Sequence, residues 1–282
     1  MRSVRVGVVG CGWFGAAHAR VYRAAGADLV AVADVDGERA KRLGEVYRAN
    51  YYSDYRRMLD LEDLDAVSVV VTPQNLAEVA VDAMERGISV LIEKPMAVSR
   101  EQLEKLMKTY HNSGVIAMPG FIELFNPGYG KLREIVESGA VGEVLMISGT
   151  RLGRFPKRSL AWKIGVALDL AIHEVYIQMH LLGAPRRVRA FIRRPRRQGG
   201  EDIALYILSF DEAVGLVEAN WLTPAGLRVA RVSGTSGSVW LDYLEQRVVL
   251  ERLDSSVIPR VPRREPLLQE ITHFIDLSLI HI

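Results

Sequence analysis

From Val4 to Val9 the apolar residues run almost without a break, the pattern of a parallel strand buried on both faces. A strand with one wet face would alternate instead. After a glycine cluster come a helical stretch from Ala16 to Ala25, a second strand from Leu29 to Ala33, and a helix capped by Asp36 that runs to about Tyr47. The alternation continues with a strand at Ala66 to Val71, a helix from Asn75 to Arg86 stopped by Gly87, and a strand at Ile88 to Ile92. Ser99 and Gln102 then form a capping box for a helix to about Asn112. Strands and helices alternating at this spacing predict a doubly wound parallel sheet.

Beyond about Met118 the pattern changes. Helical stretches near Pro127 to Ser138 and Ala167 to Leu182 accompany strand patterns at Val144 to Leu152, Val188 to Arg194, Ile203 to Phe210, Gly215 to Trp221, Arg228 to Ser233 and Ser238 to Tyr243. Short links such as Asp211-Glu212-Ala213 and Gly234-Thr235-Ser236-Gly237 suit antiparallel hairpins. A chain of 282 residues exceeds what one core sustains. The fold class is therefore α/β in two domains: residues 1–118 with the parallel sheet, and residues 119–282 as an α+β domain with a mostly antiparallel sheet.

Composition narrows the function classes only modestly. A net charge of +2 with 25% charged residues suits a globular enzyme and argues against a nucleic-acid or membrane binder. Arg outnumbers Lys 29 to 7, and the densest run, Arg186 to Arg197, interleaves with Val188, Phe191 and Ile192, which reads as a solvated strand face. No apolar run reaches the roughly 18 residues of a membrane span, and the N-terminus enters a strand without a signal-peptide pattern, so the expected location is cytoplasmic. The single cysteine, Cys11, has no partner for an internal disulfide. No metal site is expected.

Between the first strand and the first helix stands Gly10-Cys11-Gly12-Trp13-Phe14-Gly15. This is the loop a dinucleotide needs: Gly10 for a tight turn, Gly12 for approach of the pyrophosphate, Gly15 for close packing of helix on strand, and a helix N-terminus facing the anion. Asp34 follows 19 residues after Gly15, where an acidic residue binds ribose hydroxyls. Its carboxylate favours NAD over NADP, although Arg39 and Arg42 stand near enough in sequence to soften that preference. The first domain thus reads as a Rossmann domain. Trp13 and Phe14 within the loop, Thr72 and Pro73 after the third strand, and Glu93 with Lys94 complete the expected cofactor-binding set.

Oxidising a secondary alcohol requires a group that takes the hydroxyl proton and a positive charge near the developing alkoxide. Lys94 stands at the carboxyl end of a parallel strand, the ligand-binding edge of such sheets, with Pro95 fixing the chain after it. Asp169 and His173 are four apart, on one face of a predicted helix, and a neutral His with an Asp one turn away can act as a proton acceptor. Lys94, Asp169 and His173 are therefore the catalytic candidates. His18, His111, His180, His273 and His281 have no such partner in sequence and read as structural.

At Glu93-Lys94-Pro95 after a Val-Leu-Ile strand, and at the Asp169-x-x-x-His173 helix, the chain resembles the glucose-fructose oxidoreductase, inositol dehydrogenase and rhizopine-catabolism protein family. The likeness extends over the glycine loop with Asp34, Gly120 to Pro127, Glu201-Asp202, Trp221 to Pro224 and Asp242-Tyr243. It implies an NAD-dependent oxidoreductase transferring a hydride to or from a secondary hydroxyl of a sugar, sugar nucleotide or polyol, with members acting on nucleotide-linked sugars the most similar. It also implies that Lys94 and His173 carry the proton chemistry with Asp169 assisting, and that Glu93 lies beside the nicotinamide ribose. A cis Lys94–Pro95 peptide and a homo-oligomer through the open face of the second sheet follow from the same resemblance.

Four departures bear on substrate and length. Leu124 stands where relatives often carry Arg, Tyr176 where many have a second Asp, and Thr72 to Glu78 lacks the His that usually follows its Pro. The family's long C-terminal helix is cut short at Leu277 to Ile282, so a natural chain longer than this one is expected. Two other functions fit the same motifs: a glycosidase that uses the cofactor to make a glycosidic bond labile, and a cofactor-binding sensor without catalysis.

Overall fold

Val6, Val8 and Val9 are buried in β1 (Arg5–Val9), as their unbroken run predicts. The computed structural model describes residues 3–156, 162–196 and 199–281; Arg197 and Ile282, which enter the sequence reading, lie outside them. β1 pairs with β2 (Asp28–Ala33) and β4 (Ala66–Val69), and the sheet is completed by β3 (Asn50–Tyr52), β5 (Ser89–Glu93) and β6 (Ala117–Gly120) in the order β3-β2-β1-β4-β5-β6. All of these pairings are parallel. Strand order reverses between β1 and β4, and the crevice beyond the carboxyl ends at such a reversal is where open α/β sheets take ligands.

The connecting helices are α1 (Trp13–Ala24), α2 (Gly37–Tyr47), α3 (Tyr55–Leu61), α4 (Leu76–Met84) and α5 (Arg100–Ser113). Asp36 caps α2 by accepting the Arg39 N–H at 3.2 Å, and Ser99 caps α5 by accepting the Gln102 N–H. Gln102 reaches back to the Val98 N–H, one residue before the cap, which closes the capping box a step early. β3, α3 and β6 lie outside the sequence pattern, because β3 reads Asn-Tyr-Tyr on an edge and β6 contains Pro119.

The second unit, Phe121–Pro266, holds α6 (Pro127–Glu137), β7 (Val144–Arg154), α7 (Ile172–Leu182), β8 (Arg187–Arg193), β9 (Ile203–Ser209), β10 (Val214–Asn220), β11 (Leu222–Gly234), β12 (Ser238–Asp242), β13 (Arg247–Arg252) and β14 (Ser255–Val257). Its eight-stranded sheet runs β14-β13-β12-β11-β7-β10-β9-β8, with β7 and β10 parallel and every other neighbour antiparallel. One face is buried in a core of Tyr129, Leu132, Ile147, Ile177, Val232 and Leu241.

The final helix, α8 (Pro266–His281), groups from Leu267 onward with the first unit, and the boundary between units falls after Gly120. The sequence reading, with 119–282 as one domain, is corrected on both points. β6 extends the parallel sheet to Gly120, and the buried Glu270 of α8 acts electrostatically on Tyr22 of α1.

Candidate functional site

The glycine loop has the geometry its chemistry requires. Gly10 sits at φ +102°, and a Cβ there would stand 2.3 Å from the Val70 carbonyl oxygen. A Cβ on Gly15 would meet the Gly10 carbonyl oxygen at 1.7 Å, which is how closely α1 lies on the loop before it. Gly12 faces open space, with nothing within 4 Å, and is the N-cap of α1 without any side-chain cap. The first-turn N–H groups of Trp13, Phe14 and Gly15 therefore have no capping acceptor from Gly12. Trp13 stands in this loop 73% exposed.

Asp34, at the end of β2, accepts the Cys11 N–H at 2.7 Å on one carboxylate oxygen and the Asp36 N–H at 2.9 Å on the other. The carboxylate thus ties the glycine loop to β2 and still has lone pairs for ribose hydroxyls. Burial first, and then the Asp34 charge, push the Cys11 thiol up to about 12. Cys11 is thus an inert thiol whose position serves packing. Beside it, Arg39, Arg42, Leu43 and Val46 line a cavity of about 200 Å³, and Arg39 is drawn to Asp36 at 3.0 Å. Thr72 and Pro73 form the turn after β4, in which the Thr72 carbonyl accepts the Asn75 N–H. Thr72 is exposed and Pro73 buried.

β5 delivers Glu93 and Lys94 at its carboxyl end, and the Lys94–Pro95 peptide is cis. Glu93 is buried, whereas Lys94 is half-buried. One oxygen of Glu93 accepts the Lys94 N–H at 3.2 Å, and the other lies 3.3 Å from Nε2 of His18. Gly120 packs against this carboxylate, since a Cβ at that position would be 2.9 Å from Glu93 Oε1.

In the second unit Asp169 lies buried on a π-helical turn, Ala167–Ala171, that leads into α7. Such turns often mark functional sites. Glu201 holds its start: its carbonyl accepts the Val166 N–H, and its carboxylate accepts the Ala167 N–H at 3.0 Å. His173 is also buried, and its Nδ1 is 2.8 Å from the Tyr176 hydroxyl, one turn further along α7. The same phenol oxygen accepts the Glu123 backbone N–H at 3.2 Å, and its ring stacks on Phe121.

Beneath these residues is an ionic cluster with no counterpart in the sequence reading. Arg151, fully buried, donates to Glu174 and to Glu123, each at 2.9 Å, and lies over the Tyr243 ring. Burial would lower the Arg151 pKa, but Glu174 and Glu123 outweigh it and hold the guanidinium charged. Burial pushes the Glu174 carboxyl up, against the pull of Arg151. Arg228, directly across the β7–β11 ladder from Arg151, is lowered by burial and by the neighbouring charge of Arg151. Glu123 and Tyr243 stand in segments the family likeness covers, but no pattern in the sequence joins them to Arg151, Glu174 and Arg228.

Comparison with known proteins agrees with the architecture. Residues 4–121 match the model of the oxidoreductase family with an NAD-binding Rossmann fold, and residues 129–240 match the GFO/IDH/MocA C-terminal domain. The chain is 30% identical over 293 residues to the scyllo-inositol 2-dehydrogenase (NAD(+)) of Bacillus subtilis, covering 97% of this chain and 86% of that protein. The solved UDP-N-acetylglucosamine 3-dehydrogenase of Acidithiobacillus ferrooxidans is 26% identical with a TM-score of 0.89, over 100% of this chain and 91% of that one. An oxidoreductase from Agrobacterium radiobacter, solved with NAD+, L-tartaric acid and magnesium, shares the fold at 20% identity and a TM-score of 0.88, over 98% and 88% of the two chains.

Proposed function

Because the chain belongs to the GFO/IDH/MocA family of NAD-binding oxidoreductases, we propose that it oxidises a ring secondary hydroxyl, or reduces the matching ketone, on a polyol, sugar or sugar nucleotide. The observation that supports this most is the group of features at the carboxyl ends of β1, β2 and β5: an open, uncapped α1 terminus, the Asp34 carboxylate, and Lys94 behind a buried Glu93. These suit, in turn, a pyrophosphate, a ribose and a reacting hydroxyl. Gly10, Gly12, Trp13, Phe14, Gly15, Asp34, Thr72, Pro73, Glu93 and Lys94 would hold NAD, which when bound accepts or returns the hydride. The same NAD dependence, with the lone thiol Cys11, suits work in the cytoplasm.

The protein's own groups manage the proton and the charge. The Lys94 ammonium stabilises alkoxide character at the substrate oxygen, and the His173 imidazole exchanges the hydroxyl proton, in the orientation its Nδ1 contact with Tyr176 sets. Asp169 holds the substrate hydroxyl from the π-turn. Two named relatives act on a cyclitol and on a nucleotide-linked hexosamine, and what these share is a six-membered ring with several secondary oxygens. That ring is the proposed substrate class.

The test is a panel of inositols, hexoses and nucleotide-linked sugars with NAD, read by absorbance of the reduced cofactor. Net NADH formation with at least one member is expected. Cofactor binding without reduction of NAD by any member would favour a sensor, and bond cleavage without net NADH would favour a redox-assisted glycosidase.

A further inference from the structure

His18 reads in sequence as a structural histidine, yet it is the centre of a buried chain of polar groups in the first unit. It is fully buried in α1, three residues past Gly15. Its Nδ1 lies 3.1 Å from Ser68 Oγ, and Ser68 Oγ lies 2.7 Å from the Tyr22 hydroxyl. Its Nε2 lies 3.3 Å from Glu93 Oε1, and these two facing, buried atoms have no hydrogen-bond partner elsewhere in the described residues. Two buried polar atoms at that separation need a proton between them, because two opposed lone pairs would each carry an uncompensated desolvation cost.

One direction of donation satisfies the whole chain. With Tyr22 O–H donating to Ser68 and Ser68 O–H donating to His18 Nδ1, the ring presents Nε2–H to the Glu93 carboxylate. The far end is the phenol of Tyr22, which is itself fully buried and is pushed up by that burial. A relay that ends there has no water to deliver a proton to, so its use is positional. At the near end, the other Glu93 oxygen accepts the Lys94 N–H at 3.2 Å, and Gly120 closes over the carboxylate. Glu93 is therefore clamped between His18 and the backbone of the residue that carries the proposed catalytic ammonium.

Resting on the proposed roles of Glu93 and Lys94, we infer that His18 is a positioning residue, whose Nε2–H fixes the Glu93 carboxylate and through it the backbone at Lys94. The dependence is on a donor at Nε2 and not on the ring as such. His18→Leu removes the donor at similar volume, and His18→Gln retains an N–H that can reach Glu93.

Three readouts test this: ¹⁵N shifts of the His18 ring in the cofactor-free protein, NAD affinity from fluorescence of the exposed Trp13, and turnover. The wild-type ring should show protonated Nε2 and bare Nδ1. His18→Leu should lower turnover and weaken NAD binding by roughly ten- to a hundred-fold together, the scale of a small misplacement in an active site. His18→Gln should recover most of it. In a Glu93→Gln background, adding His18→Leu should cost little more, as for two residues acting through one contact. A protonated Nδ1 with bare Nε2 overturns the inference even if His18→Leu does not fold. So do equal losses in the Leu and Gln variants that track their melting temperatures, or full additivity with Glu93→Gln. If Glu93→Gln alone changes neither NAD affinity nor turnover, the reading of Glu93 falls and this inference falls with it.

Discussion

At the scale of single residues, Asp34 carries more than the ribose contact its place in the sequence predicts. Its two carboxylate oxygens hold the Cys11 and Asp36 N–H groups, so it also shapes the loop on which the pyrophosphate would rest. A phosphate on the ribose 2′ position would meet this charge, with Arg39 already engaged by Asp36. NAD should therefore bind more tightly than NADP, and Asp34→Ala should narrow the gap while weakening both cofactors. Fluorescence titration of wild type and variant with each cofactor checks this, and equal wild-type affinities would remove Asp34 as the selector. The glycines, Asp34 and Lys94 were legible because each serves a backbone or strand-end position that the local pattern marks. The role of His18 was not, since its partners Ser68 and Glu93 come from distant segments.

At the scale of elements, periodicity located the strands and helices whose apolar residues face a core, such as β1, β4, β5 and α4, and failed where burial is slight. β3 and β14 are exposed edge strands, whereas β8, exposed along its whole length, was still legible from its alternation of charged and apolar residues. The ionic cluster of Arg151, Glu123 and Glu174 joins β7, a 3₁₀ turn at Ile122–Phe125 and α7, and no single segment announces it. Its linkage has a definite sign. A carboxyl raised by burial, as Glu174 is, binds its proton more tightly in the folded state, so it favours folding below the unfolded carboxylate range and loses that contribution as pH rises. Arg151 offsets this loss in the wild type. Arg151→Met should therefore destabilise by about 3–5 kcal/mol at pH 8, the range for stranding a buried charge, and by less at pH 5 where Glu174 can take up a proton. Urea unfolding at the two pH values reads the difference. Equal losses would show that Glu174 is not the stranded charge.

At the scale of the whole molecule, the family assignment, the two sheets and the NAD-binding domain agree with the sequence reading, and no helix among the described residues is long and apolar enough to cross a membrane. The second sheet leaves one face with Leu205, Ile207, Val214 and Met146 exposed beside Leu216, a patch of the kind that marks an association surface. We propose that copies of the chain associate there. Light scattering should give a mass above 31.4 kDa that Ile207→Arg reduces, and a monomeric wild type would contradict this. We propose, from the family resemblance at both residues, that Lys94 and His173 serve the same reaction. The most direct test is NADH formation, with the substrate found in the panel, by Lys94→Ala, His173→Ala and the double variant. Each single variant should lose roughly two to four orders of magnitude in turnover, His173→Ala while keeping NAD affinity, and the double variant should fall little below the worse single one, as groups acting as a unit do. Losses that multiply in full, or a His173→Ala variant with wild-type turnover, would show that the two residues do not act together.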